Sequence, residues 1–106
     1  MSRQTTTLRN MNETRHTDTY LVVIAKGKKN YSALSPDVPG CFTVGDTLDE
    51  TLANMRDALQ LHLSDDETPP EPKGLDYHLR HDPELRAPRF IFARIPVSEV
   101  APLALA

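Results

Sequence analysis

The sequence predicts a small α+β domain in which one amphipathic helix packs on an antiparallel sheet of three or four strands. Residues 20–25 (YLVVIA) form an unbroken apolar run rich in β-branched side chains, which is typical of a central strand buried on both faces. Residues 48–63 carry apolar side chains at helical spacing, and residues 89–97 (RFIFARIPV) form a second strand-like run. With 106 residues, the chain has the length of one ordinary domain with one core.

A hairpin is predicted to open the domain. Residues 26–30 (KGKKN) supply a turn with a glycine and a charge cluster, and residues 31–35 (YSALS) alternate apolar and polar side chains as a second strand does. Residues 36–40 (PDVPG) predict a rigid loop, because the prolines block strand continuation and the glycine permits a positive φ. Residues 41–44 (CFTV) then predict a short third strand.

The strongest local signal is the start of the helix. Thr47 and Glu50 fit a capping box, with Thr47 as the N-cap, and Asp49 and Glu50 lie at the positive end of the helix dipole. Apolar residues then follow at spacings of four, three, four and four, as one stripe facing the sheet: Leu48, Leu52, Met55, Leu59 and Leu63. The opposite side of the helix is expected to face solvent or a partner.

The second half of the chain is less clearly patterned. Residues 73–88 fit either a strand, through Leu75, Tyr77 and Leu79, or a short helix with Leu75 and Leu79 on one side. Residues 89–97 are expected to pair with the first hairpin, which gives the element order β-β-β-α-β. The predicted organisation is a mobile N-terminal arm over 1–17, a folded domain over 18–97 and a tail over 98–106.

Charge is distributed unevenly along the chain. The net charge is −3, but residues 37–71 carry nine acidic side chains against a single basic one, Arg56. Such a block repels nucleic acid and favours a basic partner, or else it forms a solvated face that keeps the protein soluble. A lone cysteine, Cys41, and the lack of an apolar leader or a long apolar run indicate a cytoplasmic protein that neither is secreted nor enters a membrane.

No catalytic, cofactor or metal site is predicted. Cys41 could act as a nucleophile with His62 as its base, but a small thiol in an apolar strand is better explained as core. Residues 65–67 (DDE) lack the alternating ligands of a calcium loop, and no phosphate-binding glycine motif occurs. The remaining histidines match no metal-binding spacing and are predicted to lie on the surface: His16, His78 and His81. The sequence therefore predicts a protein that is not an enzyme.

Residues 36–50 (PDVPGCFTVGDTLDE) resemble the signature of the HicB family of antitoxins. The preceding strands, the helix through Leu63 and the proline-containing linker at residues 69–72 follow in the family's order, so the resemblance covers about residues 20–72 and 89–97. It implies a degraded RNase H-like fold. The positions that match the family's motif are expected to determine the fold: Pro36, Asp37, Pro39, Gly40, Cys41, Gly45 and Thr47.

The resemblance also implies a partner and a function. HicB antitoxins neutralise HicA toxins, small basic ribonucleases that cleave mRNA, and the acidic block is suited to covering a basic RNA-binding or catalytic face. The contact is predicted on the acidic helix face and its entry loop: Asp46, Asp49, Glu50 and Asp57. Asp46, Asp49 and Glu50 also have a structural explanation as capping and dipole residues.

The sequence departs from the family's pattern at two places, and the first is segment 73–88, which is longer than the family's usual connection. Typical members continue into a C-terminal DNA-binding domain, which the sequence does not display, so direct DNA binding by this polypeptide is not expected. A homodimer or larger homo-oligomer is expected. The first alternative function is a solitary HicB-like scaffold or small-ligand module without a toxin, and the second is a nucleic-acid binder using the basic arm and the lysines of residues 26–29.

Overall fold

The computed structural model describes residues 18–64 and 68–101. Three strands come first: β1 (Thr19–Lys26), β2 (Tyr31–Leu34) and β3 (Phe42–Gly45). They are followed by the long helix α1 (Leu48–Leu63), the short helix α2 (Leu75–His81) and a 3-10 turn (Pro83–Arg86). Strand β4 (Phe90–Pro96) leads directly into a single helical turn, α3 (Val97–Val100).

The strands form one antiparallel sheet in the order β3-β2-β1-β4. Strand β1 is central and pairs with both β2 and β4, so that Val23 lies opposite Leu34 on one side and Phe92 on the other. Residues 20–24 of β1 are all buried. The prediction of a central strand covered on both faces, paired with the last strand, is therefore confirmed.

The two faces of the sheet are covered differently. On one face, alternate β1 residues such as Tyr20, Val22 and Ile24 form the main core. The helical stripe contributes to that core as predicted, because Met55, Leu59 and Leu63 are fully buried and Leu48 and Leu52 pack against them. On the other face, a smaller core joins β1 to α2 and the 3-10 turn through these residues: Leu21, Val23, Leu75, Leu79, Leu85 and Phe90.

The segment 73–88, which the sequence left open between strand and helix, contains the helix α2 and the 3-10 turn. Its two apolar residues at helical spacing, Leu75 and Leu79, both pack against the smaller core. In a strand, the side chains of Leu75, Tyr77 and Leu79 would all lie on one face. The helix ends at Asp82, after which Pro83 starts the 3-10 turn that buries Leu85.

Helix α1 begins as the capping box predicts. The amide of Glu50 donates to Oγ1 of Thr47 at 3.0 Å, whereas Oε1 of Glu50 accepts from the amide of Asp46 at 2.9 Å, one residue before the N-cap. The start of the helix lies very close to β3. A Cβ atom on Gly45 would lie 2.5 Å from Oγ1 and 2.7 Å from the amide nitrogen of Thr51, so only glycine fits at this position.

The end of the described chain packs against α1. Val100 is buried in the main core, Nε of Arg56 lies 3.0 Å from Oε1 of Glu99, and Nε2 of Gln60 donates to the Glu99 carbonyl oxygen. The predicted tail over 98–106 therefore begins with residues that belong to the folded domain, because the α3 turn packs on α1. The arm predicted over 1–17 lies outside the described residues.

Candidate protein-binding surface

Asp37, in the PDVPG loop, holds three parts of the chain together. Its side chain is fully buried, at 0% exposure. Oδ2 accepts the amide of Leu21 in β1 at 2.9 Å, and Oδ1 accepts the amide of Lys73 at 2.9 Å. Oδ1 also lies 2.7 Å from Nε2 of His78 in α2, which must donate because an ionised carboxylate only accepts. The loop thereby fixes the linker and α2 against the sheet.

This arrangement corrects the prediction for one histidine. His78 was expected on the surface, but it is buried and bonded to Asp37. No metal-binding spacing was present to single it out, and the partner lies 41 residues away in the sequence. His81, in contrast, is exposed as predicted and stacks on Tyr77 at 3.9 Å between ring centroids.

Gly40 and Cys41 complete the loop. Gly40 has a φ of 87°, which the sequence analysis anticipated from the need for a turn before the third strand. The amide of Cys41 donates to Val38 and its carbonyl oxygen accepts from Ser35, so the residue closes the loop onto β2. Cys41 is buried, and burial raises the pKa of its thiol. A thiol that keeps its proton is the opposite of an activated nucleophile.

The four acidic residues predicted to bind a partner divide between two sides of α1. Three of them lie toward β3: Asp46 follows the last residue of β3 and lies one residue before the N-cap, and Glu50 and Asp57 share one stripe with Asn54 at helical spacing. Asn54 identifies the direction of that stripe, because its Nδ2 donates to the carbonyl oxygen of Val44 in β3 at 2.9 Å. Asp49 instead shares its side of α1 with the residues that contact α3.

We call Asp46, Glu50, Asn54 and Asp57 the acidic stripe. Glu50 has the structural role that the sequence suggested, since it accepts the amide of Asp46. Asp57 is exposed and has no hydrogen bond or ion pair with any other described residue. The one arginine of α1, Arg56, lies on the α3 side and is paired with Glu99. Among the described residues, Asp46, Glu50 and Asp57 of the acidic stripe form no ion pair with a basic side chain, so the stripe presents negative charge beside the sheet edge.

Sequence reasoning missed an apolar surface on β3. Phe42 and Val44 are 69% and 50% exposed, and Leu34 in β2, opposite Phe42, is also exposed. Their side chains point to the face of the sheet away from α1, because Cys41 and Gly45 at alternate positions point toward it and are buried. That alternation was the available signal: once the thiol is placed in the core, Phe42 must point outward.

No group of three or more His, Cys, Asp or Glu residues could hold a metal ion within residues 18–64 and 68–101. A cleft of about 260 Å³ is lined by apolar residues and one arginine: Leu21, Leu75, Phe92, Ala93 and Arg94. Among the described helices, none is long and apolar enough to cross a membrane.

Residues 20–104 match the model of a family described as HicB_like antitoxin of bacterial toxin-antitoxin system. The chain belongs to this family. The match covers most of the chain, including the PDVPG loop, α1 and β4, and it confirms the resemblance that the sequence motif indicated. The family is described as one of antitoxins, and membership in it confirms the prediction that this domain is not an enzyme.

Two relatives share parts of the sequence. An uncharacterized 14.9 kDa protein of Haemophilus phage HP1 is 37% identical over 71 residues, which are 63% of this chain and 53% of the phage protein. A UPF0150 protein of Thermotoga maritima is 45% identical over 38 residues, 36% of this chain and 51% of that protein. The chain thus spans about half the length of these relatives.

Solved structures of HicB antitoxins share the fold. A chain of the HicA3 and HicB3 toxin-antitoxin complex is 26% identical with a TM-score of 0.56, covering 72% of this chain and 93% of that one. The N-terminal domain of the Burkholderia pseudomallei antitoxin HicB is 23% identical with a TM-score of 0.60, covering 74% and 96% of the two chains. The α+β fold predicted from the sequence is therefore confirmed.

Proposed function

We propose that this protein neutralises a HicA-type toxin, a small basic ribonuclease that cleaves mRNA, by covering the toxin's RNA-binding or catalytic face in the cytoplasm. The observation that carries the proposal is the acidic stripe beside β3, where Asp57 is exposed and unpaired among the described residues. The structural likeness to a chain of a HicA3 and HicB3 complex supports the same class of partner.

The physical reason is complementarity of charge. A ribonuclease that binds RNA offers clustered lysine and arginine side chains to the phosphates, and an acidic surface of matching size competes for those side chains. Charges at the rim of an interface chiefly set the association rate and its dependence on salt, whereas buried contacts at its centre limit dissociation. The acidic stripe is suited to the first of these roles.

The first experiment is an affinity pull-down of the tagged protein from its own cells, with mass spectrometry of the retained proteins. The expected result is a small basic protein in stoichiometric amount, whose ribonuclease activity falls when this protein is added back. If the protein retains only itself, as a stable oligomer, the toxin proposal fails and the solitary scaffold or small-ligand module becomes the better explanation.

Two charge reversals then locate the contact, because the structure separates the predicted residues. Asp57→Lys lies on the acidic stripe, and Asp49→Lys lies on the α3 side of the same helix with similar exposure. We expect Asp57→Lys to weaken toxin binding at least tenfold and to reduce its salt dependence, while Asp49→Lys has a smaller effect. Equal affinities for wild type and Asp57→Lys, with both proteins folded, would place the contact elsewhere.

Self-association is proposed at the other edge of the sheet. Strand β4 is the outermost strand on that side of the described sheet, and Ile91 and Phe92 expose apolar side chains there. The two side chains point to opposite faces of the sheet, and pairing of two β4 edges would place a partner side chain beside each of them in a homodimer. Sedimentation equilibrium of the wild type and of Ile91→Lys tests this, and a wild type that remains monomeric at high micromolar concentration would refute it.

A further inference from the structure

The backbone groups on the outer edge of β3 can be identified from the sheet register. Ser35 and Cys41 form the next opposite pair after Leu34 and Phe42 in the β2–β3 register. The amide of Ser35 donates to the carbonyl oxygen of Cys41 at 3.2 Å. In an antiparallel pair, hydrogen-bonded and non-hydrogen-bonded positions alternate. Thr43 therefore bonds to β2, whereas the amide and carbonyl groups of Phe42 and Val44 point outward from the sheet.

Three of these four outward groups have no partner in the described part of the chain. The carbonyl oxygen of Val44 accepts Nδ2 of Asn54, while the amide and carbonyl of Phe42 and the amide of Val44 make no hydrogen bond among the described residues. Asn54 thus covers one end of the edge, and the remainder is a short template for an added strand.

The two faces beside this edge differ in chemistry. On the face away from α1, Phe42 and Val44 offer exposed apolar side chains, and Leu34 extends them in the neighbouring strand. On the face that carries α1, the acidic stripe lies beside the same edge, held there by the Asn54 contact. A strand laid along β3 would point alternate side chains to these two faces, because successive side chains alternate across a sheet.

We propose that the β3 edge accepts an extended segment of the toxin in which apolar and basic residues alternate. The apolar residues would contact Phe42 and Val44, and the basic residues would face Glu50 and Asp57. This inference rests on the proposed function for the identity of the partner. It also predicts that Phe42 and Val44 lie at the centre of the interface and the acidic stripe at its rim.

Charge decides between this partner and a second copy of the chain. Antiparallel pairing of two β3 edges would bring the α1 helices of both copies to the same side of the joined sheet. The two acidic stripes, each with Glu50 and Asp57, would then lie next to one another and repel. A basic segment removes that repulsion, so the edge is suited to a basic partner and unsuited to self-pairing.

A defined peptide tests the edge without the toxin. The probe is a seven-residue peptide of alternating valine and lysine with blocked ends, titrated into the full chain labelled with ¹⁵N. The expected result is a saturable shift of the Phe42 and Val44 amide resonances. Two matched peptides serve as controls, one with N-methylated valine amides, which cannot pair with a backbone, and one with glutamate in place of lysine. Equal binding of either control peptide would overturn the proposal.

A pair of variants at one position separates backbone pairing from side-chain contact. Val44→Pro removes an outward amide that β2 does not use, so the sheet is expected to form, and Val44→Thr keeps that amide while removing part of the apolar surface. We expect Val44→Pro to weaken binding of the valine-lysine peptide at least tenfold and Val44→Thr less than threefold, with melting temperatures confirming that both variants fold.

The same variants distinguish this inference from the proposed function. If wild type and Val44→Pro capture the toxin with equal affinity, the edge proposal is wrong and the antitoxin proposal stands. If the peptide shifts the Phe42 and Val44 amides but no toxin is retained from cells, the antitoxin proposal is wrong, and the assignment of the toxin to this edge fails with it. Loss of toxin capture in Val44→Pro together with retained capture in Val44→Thr supports both.

Discussion

Replacing Asp37 by asparagine is expected to destabilise the domain more than any other substitution that preserves side-chain shape in the PDVPG loop. The carboxylate is fully buried and accepts from Leu21, Lys73 and His78 at 2.7–2.9 Å. An asparagine side chain has one acceptor oxygen, and its amino group would face a donor. At least one buried donor would therefore lose its partner, and the remaining hydrogen bonds would be made to a neutral acceptor instead of a carboxylate.

The expected magnitude follows from these contacts. A hydrogen bond to a charged group contributes about 1.5–3 kcal/mol, and a buried donor left unsatisfied costs about 1–3 kcal/mol. We therefore expect Asp37→Asn to lower the free energy of unfolding by about 2–4 kcal/mol, a large share of the roughly 5–15 kcal/mol available to a domain. Asp37→Ala is expected to cost more, because it leaves all three donors without the acceptor and opens a cavity.

Urea unfolding followed by circular dichroism measures the change, with Asp49→Asn as the matched control. Asp49 is exposed, and its substitution is expected to lower the free energy of unfolding by no more than about 1 kcal/mol, because only its interaction with the helix dipole is lost. Native-state hydrogen exchange of Asp37→Asn should also show faster exchange at the amides of Leu21 and Lys73. If Asp37→Asn is as stable as the Asp49→Asn control, the three contacts do not hold the linker and α2 in place, and the argument fails.

Further substitutions test the close approaches and the buried thiol. Gly45→Ala should lower the free energy of unfolding by about 2 kcal/mol or more in urea titrations, since its Cβ would collide with Thr51, whereas Gly27→Ala should be mild. Gly40→Val should lower the melting temperature because φ is 87°, and an unchanged value would contradict this. Burial raises the pKa of Cys41 above 9.0, so its contribution to stability is complete below pH 9 and declines above it. The wild type should therefore lose more stability than Cys41→Ala between pH 8 and pH 10 in urea titrations, and parallel losses would refute the assignment.

The sequence was sufficient for every element whose signal is local. The helix α1 was predicted from Leu48 to Leu63 because a capping box, first-turn carboxylates and one apolar stripe agree over the same residues. The central strand was predicted because an unbroken run of six apolar residues rich in β-branched side chains is typical of a strand with both faces covered. The loop was predicted from proline and glycine, whose backbone preferences do not depend on distant neighbours.

The parts that sequence reasoning missed depend on contacts between distant residues. His78 became a core residue because Asp37, 41 positions earlier, places a carboxylate beside it. Residues 73–88 could not be assigned because Leu75 and Leu79 suit a strand and a helix equally until the second face of the sheet is known to need covering. The division of the acidic residues between two sides of α1 likewise required the position of β3, which Asn54 reveals.

The stretch 37–42 contributes both to the fold and to the proposed contact surface. Asp37 points inward and fixes the linker and α2, while Phe42, five residues later, points outward on the edge strand. Loss of toxin binding after a substitution in this stretch therefore has two possible causes, loss of the fold or loss of the contact.

Asp37→Asn should reduce toxin capture only in proportion to the fraction unfolded, so that capture recovers when the folded protein is supplied in excess. Phe42→Ser should reduce capture with little change in the free energy of unfolding, because its side chain is 69% exposed. If both variants lose capture in proportion to unfolding, Phe42 belongs to the fold and the contact must lie elsewhere.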